Sequence, residues 1–324
     1  MYRQILLMLA DGQRHTIKQL IKQLSIDVTV LEQTIRVLST YGILINSPVA
    51  DVYQLAEPLE LLDSSRILAA LSPKNLSYLA CLEILDIVDS TNRHALDSQG
   101  SMPYVCLAEY QTAGRGRQGR QWISPYASGL CLSLKSHYTI LNESLGGLNI
   151  ALAVTIVRTL HQLGATGLGL KWPNDIWWQN RKLAGLLLET RYAKKSVIVI
   201  GIGINVKMPP LDPKTITQPW VDLETVLGHS ISRNTLAAML IEQCLQTLTT
   251  YSQQGLKSFM PEWHSLDLCY GQQISLKMPS VFESAQLITG TAWGIDAQGA
   301  LLLQIGQQKQ RYVYGEVSLH LEYL

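Results

Sequence analysis

The residues Gln111-Thr-Ala-Gly-Arg-Gly-Arg-Gln-Gly-Arg-Gln-Trp122 constrain this chain more than any others. Three glycines and three arginines fall within the seven residues from Gly114 to Arg120. A segment of that composition is a loop, not the interior of a helix or strand. Its glycines admit positive φ and let backbone N–H groups approach a ligand closely. Its arginines supply forked, permanently charged donors suited to phosphate and carboxylate. A flexible Arg-Gly segment touching RNA without specificity is the alternative reading. The surroundings favour order instead, because strand-like Tyr104 to Tyr110 precedes the loop and Trp122 ends it. No Gly-Lys-Ser/Thr follows, so it is not a Walker loop, and it is not a Rossmann fingerprint.

The anion site has to be local. Over 324 residues the formal net charge is +1, which offers no global attraction to nucleic acid or membrane. An apolar fraction of 47% and a charged fraction of 16% allow two or three domains with a substantial core. The five cysteines (81, 106, 131, 244 and 269) form no CxxC or Cys/His cluster, so no metal site is expected and reduced, buried thiols are. The most apolar stretch, Leu145 to Leu163, is interrupted by Asn149, Arg158 and His161. With no spanning run and no leader at Met-Tyr-Arg-Gln, a soluble cytoplasmic protein is expected, with no membrane partner.

Residues 1 to about 56 read as a unit of their own. Ile5, Leu6 and Leu9 lie at helical spacing, and Thr16 is a plausible N-cap for Ile17, Leu20, Ile21 and Leu24. After a turn at Ser25-Ile26-Asp27 comes a third helix with Val30, Leu31, Ile35 and Leu38. Ile43 to Leu55 reads as two short strands around a turn near Ser47-Pro48. Three helices and a hairpin outline a winged helix-turn-helix. Glu57-Pro58 and Asp63 to Arg66 mark a linker region, with a helix near Leu59 to Leu71. The centre alternates strands (Tyr104–Tyr110, Leu130–Leu134, Leu168–Trp172, Leu183–Glu189, Val197–Gly201) with helices at Leu145–Leu163 and from an Asn234 cap to Tyr251. From Gly271 onward, four short strands (274–278, 287–294, 300–305, 311–314) separated by turn signals suggest a small barrel. The expected domains are 1–65, 66–270 and 271–324.

Further constellations carry chemistry. Lys171-Trp-Pro-Asn-Asp175 ends a strand on a turn and presents polar groups at a sheet end. A plain hairpin turn is the bland reading. Arg181-Lys182-Leu-Ala-Gly185 returns seven residues on, which sets Lys182 across from that turn. A lone lysine is usually a solvated charge. One facing an Arg-rich loop can stabilise developing negative charge. Gly201-Ile-Gly-Ile-Asn205 ends a buried strand, with Gly203 allowing close backbone approach. Ser90-Thr-Asn92 reads equally well as a helix cap. Trp122 offers either an aromatic face to a heterocycle or ordinary core packing.

Glu109 to Trp122, Lys171 to Asp175, Arg181 to Gly185, Gly201 to Asn205 and Asp89-Ser-Thr-Asn92, taken together and in this order, resemble the biotin–protein ligases. The resemblance runs over essentially the whole chain, and the N-terminal unit resembles the bifunctional, repressor type. Lipoyl–protein ligases lack the Gly-Arg-Gly-Arg loop. The resemblance implies an α/β catalytic domain related to class II aminoacyl-tRNA synthetases, followed by an SH3-like barrel. It implies that biotin and ATP, with Mg²⁺, give biotinoyl-5′-AMP. A lysine of a biotin carboxyl carrier protein, that of acetyl-CoA carboxylase, then takes the biotin.

By resemblance, Ser90, Thr91, Asn92, Gln111, Gly114, Arg115, Gly116, Arg117 and Lys182 bind biotin. Arg117, Arg120, Trp122, Asn174 and Asn205 hold the nucleotide or adenylate, and Lys182 and Arg117 are catalytic. Mg²⁺ would ride largely on phosphates, without a protein cage. The loop would close as a gate over the adenylate.

Two departures stand out. His320 occupies a place where bifunctional relatives carry Arg near the nucleotide. The presumed recognition helix offers DNA only Val28, Thr29, Gln33 and Arg36. Residues 1–56 hold five basic and four acidic side chains, a net of +1. DNA affinity comes mainly from phosphate neutralisation, so weak operator binding is expected, or binding by an adenylate-promoted homodimer. A regulator that senses a nucleotide-like effector without ligase chemistry is the rival reading; it would not need Lys182.

Overall fold

A computed structural model describes residues 1–138, 145–191, 196–212, 214–278, 286–313 and 315–319. The N-terminal unit contains α1 (Tyr2–Leu9), β1 (His15–Thr16), α2 (Ile17–Leu24), α3 (Val28–Thr40), β2 (Ile45–Asn46) and β3 (Val52–Leu55). The three strands form an antiparallel sheet in the order β1-β3-β2. Thr16 caps α2 through a reciprocal box: its hydroxyl accepts from Gln19 N–H, and Gln19 Oε1 accepts from Thr16 N–H. Ile5, Leu6, Leu9, Leu20, Leu31 and Leu38 are fully buried between the helices. This core continues into the next part of the chain through Leu61, Tyr126 and Ala127. Tyr41 stacks on Tyr110 with ring centroids 4.5 Å apart.

The helix expected over Leu59 to Leu71 is shorter, with α4 (Ser64–Ala69) followed by α5 (Pro73–Tyr78). The cause lies in the partners of the linker backbone. Leu62 N–H donates to Glu109 Oε1 at 2.6 Å, and Asp63 N–H donates to Asn234 Oδ1 at 2.7 Å. Asn234 Nδ2 donates to Leu61 O at 3.0 Å. Those bonds hold 61–63 extended, and Asp63 becomes the cap by accepting from Arg66 N–H. They also displace the expected Asn234 cap, because its amide is committed to the linker. Ser232 caps instead, one residue before the long helix Arg233–Gln254.

The central body adds β4 (Cys81–Val88), α6 (Thr91–Asp97), β5 (Tyr104–Gln111), β6 (Gly129–His137), α7 (Leu145–Gln162), β7 (Leu168–Lys171), β8 (Asp175–Trp178), β9 (Arg181–Arg191) and β10 (Val197–Asn205). It closes with α8 (Leu223–Leu227), α9 (Arg233–Gln254) and α10 (Met260–Leu266). The strands form one seven-stranded sheet, order β4-β5-β6-β10-β9-β8-β7, antiparallel except for the parallel β4/β5 pair. Alternation sorts the side chains. Leu130, Leu132, Leu134, Ile198, Ile200, Ile202 and Ile204 share one buried cluster with the apolar residues of α7 and α9. Cys131, Ser133, Gly201 and Gly203 occupy the alternate positions and pair across strands (Ser133 with Gly201, Cys131 with Gly203). The small face so formed leaves room for α6 and for a cavity.

The C-terminal part is a five-stranded antiparallel sheet of β11 (Gln273–Met278), β12 (Gln286–Ile295), β13 (Leu301–Ile305), β14 (Gln308–Tyr312) and β15 (Glu316–Leu319), in the order β14-β13-β12-β11-β15. Ile274, Leu276, Ala292, Leu301, Leu303 and Val317 join the central core, and Trp172 Nε1 donates to Gly299 O at 3.0 Å. The end of the fourth expected strand at Tyr314, and His320, lie outside the described residues. Cys106, Cys131, Cys244 and Cys269 are buried free thiols as expected, whereas Cys81 is exposed. Among the described residues no helix is long and apolar enough to cross a membrane.

Candidate active site

A cavity of about 640 Å³ opens on the small-residue face of the central sheet. It is lined by the N-terminus of α6, the ends of β5, β9 and β10, the β7–β8 turn, the Gly/Arg loop, and Gly315 and Val317 of the C-terminal sheet. Ser90, Thr91, Asn92, Gln111, Arg115, Gly116, Arg117, Arg120, Trp122, Asn174, Lys182 and Asn205 all border it. Gly114 does not.

One end is polar and buried. Ser90 caps α6, accepting from Arg93 N–H, so the cap reading holds alongside the cavity position. Thr91 N–H donates to Gln111 Oε1 at 2.8 Å. Ser133 Oγ stands 2.8 Å from Thr91 Oγ1 and 2.6 Å from Asn92 Oδ1. Gln111 Nε2 reaches Cys131 Sγ at 3.2 Å. Burial pushes the Cys131 thiol up, which keeps it protonated. Gly201 is what admits Asn92, since a Cβ there would stand 2.3 Å from Asn92 Oδ1. The arrangement supplies closely spaced donors and acceptors for a compact polar ligand head.

The other end is charged. Lys182 Nζ lies 2.8 Å from Asp175 Oδ1, with the two side chains 18% and 14% exposed. Among the described residues no hydrogen-bond donor is aligned on that oxygen, so the contact is an ion pair. The position of Lys182 depends on a β-bulge. Strict alternation counted back from Gly185 would turn residue 182 to the opposite face. The β8/β9 register shifts between Ile176 and Trp177, so that Trp177 pairs with Lys182 and Asp175 with Gly185. The extra residue, Leu183, re-aims the lysine into the cavity. Asn174 Nδ2 donates to Leu186 O at 2.7 Å, and Arg117 Nη1 donates to Asn174 Oδ1 at 3.5 Å. Burial pulls the Arg117 guanidinium below its ordinary value, opposed by the charge of Asp175. Lys171, also lowered by burial, stands 4.5 Å over the Trp177 ring.

The loop is a tight hairpin. Trp122 N–H donates to Gly114 O at 2.9 Å, and Gly116 N–H to Arg120 O at 2.7 Å. Of the three glycines only Gly119 takes positive φ, at 74°. Gly114 serves close approach instead, since its Cβ would meet Trp122 O at 2.4 Å, which is why it supports the loop from behind the cavity wall. Trp122 projects over β10 because Gly203 lacks a side chain, whose Cβ would stand 2.5 Å from the indole. The Lys182 ammonium lies 5.7 Å from the Trp122 ring.

Asp175, Lys171, Cys131, Ser133 and Glu189 were not assigned roles by motif. Asp175 and Lys171 sit inside a quoted motif, so position alone could have raised them. Ser133 and Glu189 become legible only when the alternation of β6 and β9, and the neighbours of each strand, are known. The proposed DNA contacts Val28, Thr29, Gln33 and Arg36 are all exposed on α3, and none of them lines the cavity. Arg36 already pairs with Glu32 at 3.9 Å.

Most of the residues that line this cavity fall within residues 84–205, which match the Biotin/lipoate A/B protein ligase family. Residues 271–320 match the Biotin protein ligase C terminal domain. Over 319 residues the chain is 34% identical to the bifunctional ligase/repressor BirA of Escherichia coli (strain K12), covering 97% of this chain and 96% of that relative. The chain belongs to the biotin protein ligase family. A biotin–[acetyl-CoA-carboxylase] ligase of Mycobacterium tuberculosis (strain ATCC 25618 / H37Rv) is 29% identical to this ligase over 206 residues, covering 62% of this chain and 73% of that protein. The solved biotin protein ligase of Aquifex aeolicus, in complex with biotin and ATP, has a TM-score of 0.64 and 27% identity, covering 74% of this chain and 98% of that one. The ligase fold therefore extends over the central body and the small antiparallel C-terminal sheet.

Proposed function

We propose that this chain condenses biotin with ATP to biotinoyl-5′-AMP and pyrophosphate, then passes biotin to a lysine of a biotin carboxyl carrier protein. The observation that carries the reading is a single cavity. It joins a buried polar end (Ser90, Thr91, Asn92, Gln111) to a charged end (Lys182, Asp175, Arg117, Asn174). Biotin has that polarity: a ureido head that exchanges hydrogen bonds, and a carboxylate at the end of an aliphatic chain. Ser90, Thr91, Asn92, Gln111, Arg115 and Gly116 would take biotin. Arg117, Arg120, Trp122, Asn174 and Asn205 would hold the nucleotide.

In the first step a carboxylate oxygen bonds to the α-phosphorus as the bond to the pyrophosphate oxygen breaks. Lys182 and Arg117 are the cations that offset charge on the phosphate oxygens and hold the carboxylate in line. In the second, the neutral target amine bonds to the acyl carbon, the bond to the phosphate oxygen breaks with release of AMP, and the nitrogen sheds its proton. Mg²⁺, bound with ATP, supplies further charge neutralisation at the phosphates. Asp175 is the one carboxylate among the described lining residues, and Asn174 adds an amide oxygen, which suits an ion carried chiefly by phosphate. The loop hairpin, anchored at Gly114 and Trp122, would shield the mixed anhydride from water. The test is incubation with biotin, MgATP and an apo carrier domain. A biotinyl mass increment on the carrier is expected, and its absence would sink the reading.

The N-terminal unit we read as a winged helix-turn-helix of residues 1–65, with α3 as recognition helix and 47–53 as the wing. The central domain (66–270) we read as related to class II aminoacyl-tRNA synthetases, and 271–324 as an SH3-like barrel. The similarity to named ligase/repressors supports a second role in biotin-responsive repression, exercised in the cytoplasm by an adenylate-promoted homodimer on operator DNA. The pairing of Arg36 with Glu32 leaves α3 little charge for phosphates. Duplex binding should accordingly be weak, salt-sensitive and raised by the adenylate. Retardation of no duplex at low salt, with or without adenylate, would count against it.

A further inference from the structure

Glu189, on the cavity side of β9, makes two contacts that the assigned chemistry does not use. Its Oε1 lies 3.1 Å from Arg115 Nη2 of the Gly/Arg loop, and its Oε2 accepts from Asn92 Nδ2 at 2.9 Å. Its side chain is 19% exposed against 49% for Arg115, so the contact with Asn92 is the better shielded of the two. Neither Arg115 nor Asn92 is near it in sequence; β9 brings it between α6 and the loop.

An ionised carboxylate only accepts hydrogen bonds. So does Leu187 O, to which Asn92 Nδ2 donates at 3.1 Å. Both N–H groups of the Asn92 amide are thereby used, and the amide cannot flip without setting its oxygen against two acceptors. Asn92 Oδ1 is turned toward Ser133 Oγ at 2.6 Å and keeps a second lone pair. Asn92 can then serve a ligand only as an acceptor, which is what an N–H of a cyclic urea requires. The same carboxylate fixes Arg115, so the loop and the α6 N-terminus are referred to one point on a rigid strand.

We propose that Glu189 is a positioning residue of the biotin site: it orients the Asn92 amide as an acceptor and latches the Gly/Arg loop through Arg115. The proposal rests on the ligase reading above and adds the residue that sets its pocket. Glu189→Ala removes both functions. Glu189→Gln keeps one acceptor for Asn92 but loses the charge that holds Arg115.

The experiment measures biotin-dependent pyrophosphate exchange and the rate of adenylate release for the parent, Glu189→Ala and Glu189→Gln, with thermal melts as a check on folding. Glu189→Ala is expected to raise the KM for biotin by about tenfold or more, the size of a lost charge-assisted hydrogen bond, while the KM for ATP stays within about twofold. Glu189→Gln is expected to recover most of the biotin KM yet release adenylate about threefold to fivefold faster than the parent, the size of a partly exposed ion pair. Parent-like biotin KM and adenylate release in Glu189→Ala would overturn the proposal. So would equal losses for biotin and ATP in a variant that melts normally. If Glu189→Ala does not fold, Glu189→Gln decides alone, and parent-like adenylate release in it overturns the latch. A parent that forms no adenylate at all would instead overturn the ligase reading, and this one with it.

Discussion

At the scale of single residues, the site depends on side chains that are small as much as on those that are charged. Lys182 is held by one ion pair at 2.8 Å and lies in the cavity as a donor to developing negative charge. Lys182→Ala should lower the rate of adenylate formation by about a hundredfold or more, as loss of a preorganised charged donor does. Single-turnover formation of labelled adenylate measures it, and a near-parent rate would remove Lys182 from the chemistry. Gly203→Ala should be damaging for the opposite reason. The added methyl group would sit 2.5 Å from the Trp122 indole and push it off β10. Overpacking of that kind costs about 1–3 kcal/mol, and a titration of the variant with ATP should show a KM raised by about tenfold at similar biotin affinity. Motif reading found Lys182 and Gly203. It could not find Glu189 or Ser133, whose roles come from which strand each stands beside.

The elements were legible where periodicity was strong and obscure where partners decided. The three N-terminal helices, the hairpin arms around Gln179-Asn180 and the glycine-bearing end of β10 follow from spacing and turn residues. β4 does not: its eight residues form a half-buried edge strand with Glu83 and Asp86 interrupting the apolar run, which gives neither alternation nor a continuous apolar stretch. The start of α4 was set by Glu109 and Asn234, and the cap of α9 by Leu61 and Asp63, which take the Asn234 amide; each partner is distant in sequence from the segment it terminates.

The same junction yields a pH prediction. Glu60 is surrounded by donors at the start of α9: Ser232 Oγ at 2.8 Å, Arg233 N–H at 2.6 Å and the Arg66 guanidinium at 3.0 Å. Burial alone would raise its carboxyl, but these partners and Asn234 hold it below the ordinary value. A carboxyl lowered by folding stabilises the folded state above its unfolded value and loses that contribution as pH falls through the folded one. Denaturation of parent and Glu60→Gln should therefore differ most near neutral pH and converge in acid. A difference that widened in acid would refute this account.

For the whole molecule, the parts are joined by charge as well as by apolar contact. Arg233 and Glu109 have side chains 4% and 0% exposed and meet at 2.6 Å. Arg233 also donates to Gly129 O and Glu60 O, Glu109 accepts from Leu62 N–H, and Arg3 of the N-terminal unit approaches Glu109 at 3.6 Å. One buried group of charges thus contacts α1, the linker, β5, β6 and α9. Arg233→Met should destabilise by about 3–5 kcal/mol, because it leaves Glu109 buried without its main partner. Adding Glu109→Gln should restore part of that loss. Urea titration of both variants tests the pair, and a double variant less stable than Arg233→Met alone would argue against it.

β10 divides its labour residue by residue, and that sets how the chain can drift in sequence. Ile200, Ile202 and Ile204 can shrink only by hollowing the interior, whereas Gly201 and Gly203 can grow only by displacing Asn92 and Trp122. A saturation library over residues 200–204 should therefore record a tolerance profile that reverses sign at every step. Variants at even positions would survive by keeping their bulk, and those at odd positions by having none.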